Sequence, residues 1–319
     1  MKRIDAHMHV CQWYLPDGRT AFDALRQYQK ENDIESVDIM CCSNQANLWD
    51  GYEADQNIIA AITKLEVPST YIHGCMYIPD GKVPQEWSFV SQLDELKAIG
   101  FDGVKTCEYK PDSYKVHRMD ERREDFESYF AWCEANAFPV CLHVADPDNF
   151  WDPKRCPPMA FERNWFYGDG TFPTYESLYE QTYAILDKHP NLHAMFAHAF
   201  FLSEHPDQVR ELFRKYPRVT IDLSPGWEMF DGFRLYYDEW MDIFRTYSDR
   251  ILYATDATVT ACSSEYVNHL ASCVHRYLTD GASFDVPGNH VAQGIALEAE
   301  HAEKILYTNA KRIVGDKPR

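Results

Sequence analysis

Eight short apolar runs alternate with segments of helical pattern along this chain, and that alternation constrains the fold more than any other feature. The runs lie near residues 3–10, 37–41, 70–78, 101–106, 138–143, 192–198, 219–223 and 250–255. Helical periodicity fills 20–33, 53–65, 87–99, 124–135, 175–189, 206–216, 235–247 and 264–277, with a last amphipathic segment at 297–314. Thr20 with Asp23 three residues on has the pattern of a capped helix start, and Gly100 has that of a stop. Residues 47–52 read as loop. Apolar runs alternating with helices predict a parallel sheet, and the count of eight predicts closure. The expected class is α/β, a (β/α)8 TIM barrel occupying residues 1–319 as one domain. In such barrels reactive side chains gather at the C-terminal ends of the strands.

With 45% hydrophobic residues in 319, a large core can form. The net charge of −19 disfavours nucleic acid and anionic membranes as partners. No apolar stretch is long enough to span a bilayer, and residues 1–10 read as a strand rather than a signal peptide. The ten cysteines contain no Cys-x-x-Cys pair, the pattern of reduced core thiols rather than a disulfide framework. The expectation is a cytoplasmic protein acting on a small molecule; homo-oligomers are the common case for soluble enzymes.

The strand ends carry the chemistry. Strand one ends in His7 and His9, strand five in His143, strand six in His198 and strand eight in Asp256. Alternation places Asp5, His7 and His9 on one face of strand one. In strand seven, Val219, Ile221 and Leu223 must face the helices, which turns Thr220 and Asp222 inward; in strand eight Leu252, Ala254 and Asp256 share a face. Five metal-competent side chains at one edge of one barrel predict a divalent cation site. Zinc suits such histidine-rich sets best, with manganese and iron as alternatives.

His-x-His on strand one, His on strands five and six and Asp on strand eight resemble the amidohydrolase superfamily, most closely its amidohydrolase-2 branch, which includes the aminocarboxymuconate semialdehyde decarboxylase-like enzymes. Ile4-Asp-Ala-His-Met-His9, Gly100-Phe-Asp-Gly-Val-Lys105, Leu142-His-Val-Ala-Asp-Pro147 and Asp249-Arg-Ile-Leu-Tyr-Ala-Thr-Asp256 carry the likeness, with Ile305 to Arg312. The resemblance implies one metal held by His7, His9, His143 and Asp256. It implies His198 beside them, as a further ligand or orienting a water or substrate. Asp256 would also serve as general base, and His198 could stabilise developing negative charge. Lys105 stands where binuclear relatives bridge two metals through a carboxylated lysine, but the branch resembled favours a single ion. Otherwise Lys105 would pair with Glu108 or Asp222.

His73 reads as a hydrogen-bonded core residue. His189 and His193 fall at the opposite barrel end, and His205, His269, His275, His290 and His301 read as surface. Residues 145–174 form a long aromatic-rich connection with little helical pattern, expected to act as a lid. Within it Arg155 and Arg163 are candidates to clamp a substrate carboxylate, with Trp165 as wall; surface ion pairing is the competing reading of both arginines. Tyr109, Arg118, Arg122, Arg123, Trp13 and Trp227 follow other strands and could contribute to the pocket. The expected function is a metal-dependent hydrolase cleaving an amide, ester or lactone of a small, carboxylate-bearing substrate. The rivals are a non-oxidative decarboxylase of an unsaturated or aromatic acid and a non-catalytic binding protein.

Overall fold

The computed structural model describes residues 1–42, 56–78 and 88–315. The loop expected at 47–52 lies outside the described residues. Nine strands form one sheet among them: β1 (Arg3–His9), β2 (Ile34–Met40), β3 (Thr70–Gly74), β4 (Gly103–Tyr109), β5 (Val140–Val144), β6 (Ala194–Phe196), β7 (Thr220–Asp222), β8 (Ile251–Leu252) and β9 (Ala257–Thr258). Their order is β8-β7-β6-β5-β4-β3-β2-β1-β9, and each of these neighbouring pairs is parallel. β8 and β9 are two halves of one passage of the chain. The first half pairs with β7 and the second with β1, so this passage closes the barrel. Across the interruption Ala6 N–H donates to Tyr253 O at 3.0 Å, and Asp256 N–H donates to His7 O at 2.9 Å.

Alternation along the strands divides the apolar residues into two layers. Val219, Ile221, Leu223 and Tyr253 join the large cluster between sheet and helices. Ile4, Ala6, Met40, Cys141, Met195, Ala197 and Leu252 fill the barrel interior, where Ala310 of the C-terminal helix (Asn309–Val314) packs against them. The last helical segment is therefore part of the barrel's packing. Its middle, Lys304–Thr308, is wound as a π turn.

β1 corrects one expectation. Its register against β2 pairs Asp5 with Val37 but Met8 with Ile39, three residues against two. The extra residue reverses the alternation at Ala6–His7. Ile4 and Ala6 point inward, and so do His7 and His9. Asp5 instead turns outward and accepts from Tyr28 OH at 2.6 Å and from Thr255 Oγ1 at 2.6 Å. It does not share a face with the two histidines.

The helices follow the sequence patterns closely. Thr20 Oγ1 accepts from Asp23 N–H at 3.1 Å and Asp23 Oδ2 from Thr20 N–H at 3.3 Å, the reciprocal cap that starts helix Ala21–Glu31. The helix expected at 235–247 forms as Tyr237–Thr246, and a separate short helix, Met229–Leu235, precedes it. An antiparallel hairpin, β10 (Ser283–Val286) and β11 (His290–Gln293), was not expected; Pro287-Gly288, with Gly288 at φ +81°, makes its turn. His290 is half-buried there and meets Asp231 at 2.5 Å, so it is not a simple surface residue. Residues 145–174 contain a turn at Asp148–Trp151 and a helix at Pro158–Glu162, and build a small core from Phe150, Ala160 and Tyr167. Pro158 supplies the first position of that helix, where proline is tolerated. No helix of the described residues is long and apolar enough to cross a membrane.

Candidate metal centre and active site

β1 and the β8–β9 joint bring three expected ligands together. His9 Nε2 lies 3.0 Å from Asp256 Oδ1, and His7 Nε2 lies 3.5 Å from the same oxygen. Asp256 takes a left-handed backbone, φ 55°, which breaks the strand and turns its carboxylate into the mouth. The donor chemistry is set by what holds the far side of each ring. His9 Nδ1 is 2.7 Å from the carbonyl oxygen of Met40, which can only accept, so Nδ1 carries the proton. His7 Nδ1 is 2.8 Å from Asp222 Oδ2, which fixes the same tautomer. With its proton on Nδ1, each ring in its neutral form turns an Nε2 lone pair toward the Asp256 carboxylate. Acceptors this close need a positive species between them. Bonds of about 2.0–2.1 Å in a tetrahedron put ligand atoms about 3.3–3.4 Å apart, close to the spacing found. The residues fit a divalent cation, with Asp222 and the Met40 carbonyl orienting its histidines.

His143 and His198 stand alongside. His198 Nε2 is 3.2 Å from His143 Nδ1, and His198 Nδ1 is 3.0 Å from the Ser224 carbonyl. His143 is not within the mutually close set of His7, His9 and Asp256, but its partner His198 is 5.7 Å from His7, ring centre to ring centre. Four residues, His198 to Phe201, are left-handed in succession, which turns the chain sharply after β6. A neutral His198 offers the site a lone pair rather than a donor. It suits proton acceptance or ligation; stabilising an oxyanion by donation would require it to be protonated.

Electrostatics keep these groups in ligand form. Burial pushes His7 well below the usual histidine range, with Lys105 adding to the effect. Burial takes His198 down to about 4, helped by His143 and opposed by Asp256 and Asp222. His143 is lowered by burial too. For Asp256 burial opposes the charge, but His9, His198 and His7 outweigh it and hold the carboxyl well below the usual range.

Lys105 is buried, with Nζ 3.4 Å from His7 Nε2 and 3.4 Å from Cys141 Sγ. It forms no ion pair with Glu108 or Asp222 among the described residues; Glu108 Oε1 is buried without a hydrogen-bond partner. His73 is the core residue expected, 2.8 Å from Asp38. Arg155 is exposed and pairs with Asp148 at 2.9 Å and Asp152 at 3.1 Å. Arg163 is exposed and lies over the Trp165 ring at 5.0 Å. Both arginines thus have the surface placement that was the competing reading. Trp165 does approach the mouth, 4.5 Å beneath Lys110 Nζ. Tyr109 faces outward against Phe126 and Phe130 rather than into the pocket, and Arg118 and Arg123 pair with Glu121 and Asp120.

Four functional candidates escaped the sequence reading. Asp222 was read as inward-facing but not as the partner of His7, and Lys110 and Asp146 adjoin His143. Glu228 shares with His198 and Phe201 a cleft of about 40 Å³. Burial pushes its carboxyl up to about 7. Two of the four had a signal along the chain: Asp146 lies three residues after His143, and strand alternation turns Asp222 inward.

A closed parallel barrel whose strand ends converge on histidines and a carboxylate defines the class: a (β/α)8-barrel enzyme with its reactive groups at one mouth. The amidohydrolase family model matches residues 4–315, and the chain belongs to that family. Solved structures agree on the fold. An uncharacterised TIM-barrel protein from Bordetella bronchiseptica superposes with a TM-score of 0.58 at 13% identity, covering 98% of each chain. An amidohydrolase from Burkholderia multivorans with bound zinc gives 0.58 at 14%, covering 98% of this chain and 99% of that one. The 5-carboxyvanillate decarboxylase of Sphingomonas paucimobilis gives 0.57 at 13%, covering 98% of each. A search of curated proteins finds no match.

Proposed function

We propose that this chain is a metal-dependent hydrolase that cleaves an amide, ester or lactone bond of a small, carboxylate-bearing molecule. The observation that carries the reading is the convergence of two lone pairs, on His7 and His9, with the Asp256 carboxylate. His7, His9 and Asp256 would hold one divalent ion, zinc by ligand chemistry, with His143 as the fourth ligand and His198 adjacent. The ion supplies Lewis acidity, which activates water at neutral pH and polarises a carbonyl. Asp256 stays ionised across the working range and can take a proton from an attacking water. His198, neutral, can accept a proton through Nε2. Glu228, sharing the cleft, is poised to return one to a leaving group near neutral pH. Trp165 and Phe201 offer apolar surface for the substrate.

A second reading is kept because the fold is shared with a decarboxylase. Arg155 and Arg163 are exposed, and Lys110 is neutralised by Asp146, so a substrate carboxylate would be drawn toward the metal centre itself. There it would be placed for loss as carbon dioxide. The test is metal content per chain after purification without added metal, then a screen of lactones, amides and unsaturated acids followed for both hydrolytic product and carbon dioxide. One equivalent, lost in His7→Ala/His9→Ala, with a hydrolytic product supports the main reading. Carbon dioxide without hydrolysis moves the assignment to the decarboxylase. No metal, with none taken up on adding zinc or manganese, removes both.

A further inference from the structure

Asp146, three residues past His143, gathers three donors from three parts of the chain. Oδ2 accepts from Lys110 Nζ at 2.5 Å and from Tyr167 OH at 2.6 Å; Oδ1 lies 3.4 Å from His143 Nε2. Lys110 Nζ is also 2.9 Å from the Tyr167 oxygen, and Asp112 stands 3.6 Å from it. Lys110, Asp146 and Tyr167 are all buried. Tyr167 belongs to the aromatic connection between β5 and the helix Tyr175–Lys188. Its ring lies 4.9 Å from Trp151 and 5.0 Å from Phe172, and its N–H donates to Phe150 O at 2.9 Å. The small core of that connection thus ends in a hydroxyl placed on Asp146.

A buried ion pair adds little net stability, because desolvating both charges offsets their attraction. What this one supplies is direction. With Lys110 and Tyr167 occupying Oδ2, the carboxylate presents Oδ1 to His143 Nε2 at 3.4 Å, while the His198 Nε2 lone pair faces His143 Nδ1 at 3.2 Å; of these two acceptors the charged one takes the single proton of a neutral His143 ring. The neutral ring then has its lone pair on Nδ1, which is the atom turned toward His198.

We propose that Asp146 is a positioning residue that selects the His143 tautomer and aims Nδ1 into the site, and that Tyr167 makes this setting depend on the 145–174 connection being docked. The link to a metal rests on the proposed function above; the tautomer does not. When the connection lifts, Asp146 loses one of its donors and its hold on the ring, so the ligand set is complete only with the site covered.

The test uses the whole chain. Long-range proton–nitrogen correlation spectra of the metal-free protein report each imidazole tautomer, with His143 assigned by its loss in His143→Gln. The expected native pattern is the Nε2–H form. Asp146→Asn and Tyr167→Phe should both shift it toward Nδ1–H, while Lys115→Ala, on the surface of the same region, should not. Cobalt titration adds a second readout: the dissociation constant should rise about tenfold in Asp146→Asn and about threefold in Tyr167→Phe, with a changed visible spectrum. Where Asp146→Asn does not fold, Tyr167→Phe, which lacks only a hydroxyl, decides. An unchanged His143 pattern in the folded variants overturns the inference. The expected tautomer shift in a native chain that takes up no cobalt supports the positioning role and sinks the metal reading instead.

Discussion

Replacing Asp222 by Asn tests the histidine-orienting logic most directly. Asp222 is fully buried, and its carboxylate accepts from His7 Nδ1 at 2.8 Å, from the N–H groups of His198 and Ser224 at 3.0 Å each, and from Ser224 Oγ at 2.5 Å. An amide has one acceptor oxygen. If that oxygen stays on the His198 and Ser224 side, the amide NH2 faces His7 Nδ1 and forces the proton to Nε2, where it blocks the lone pair turned toward Asp256. If the amide flips, two backbone N–H groups meet a donor instead. A hydrogen bond to a charged group contributes about 1.5–3 kcal/mol, and lost orienting partners cost about 10–100-fold in metal affinity. At about 1.4 kcal/mol per tenfold change the two figures agree. The assay is competition for zinc against a chromophoric chelator at neutral pH, with near-ultraviolet circular dichroism to establish that the variant is folded. A folded Asp222→Asn protein that binds zinc as tightly as the native chain would refute the reasoning.

Asp5→Ala strips four hydrogen bonds from a buried junction of β1, the helix Ala21–Glu31 and Thr255, and should destabilise the metal-free protein by about 2–4 kcal/mol in urea unfolding; a loss below about 1 kcal/mol would show that the junction is not structural. His198 titrates at about 4 when folded against 6.5 when free, so between those values the unfolded chain binds the extra proton. Stability of the metal-free protein should therefore fall as pH drops from 6.5 to about 4, by roughly 3 kcal/mol at most from this group. The fall should be shallower in His198→Asn, a residue that tolerates the left-handed backbone at that position; equal pH slopes would remove the assignment. Because Arg155 is exposed and already paired, Arg155→Ala should leave KM within about twofold once a substrate is found, and a tenfold rise would restore it as a carboxylate clamp.

How far the sequence could be read follows from which interactions are local. The Thr20–Asp23 cap, the helix ends and the strand runs depend on neighbours within a few residues, and they formed near the expected places. The alternation in β7 was also legible, because apolar Val219, Ile221 and Leu223 leave Asp222 only one face. β1 was not, because one inserted residue between Asp5 and Met8 is invisible to a period-two pattern yet moves Asp5 to the other side. The arginines were ambiguous for a different reason: a long cation pairs with whichever carboxylate folds beside it, and for Arg155 those were Asp148 and Asp152.

Pattern along the chain is enough to reach the barrel, the family and the strand ends that carry His7, His9, His143, His198 and Asp256. Hydrophobic period and strand–helix alternation are enough to place residues at a mouth. What those residues can do there depends on contacts made in the folded barrel. The protons of His7, His9 and His198 are set by Asp222, the Met40 carbonyl and the Ser224 carbonyl, each contributed by another strand or the loop after it. Lys110 and Tyr167 reach Asp146 from the segments after β4 and β5. Such partners are far apart in the chain and become neighbours only when the barrel closes, so no local pattern encodes them.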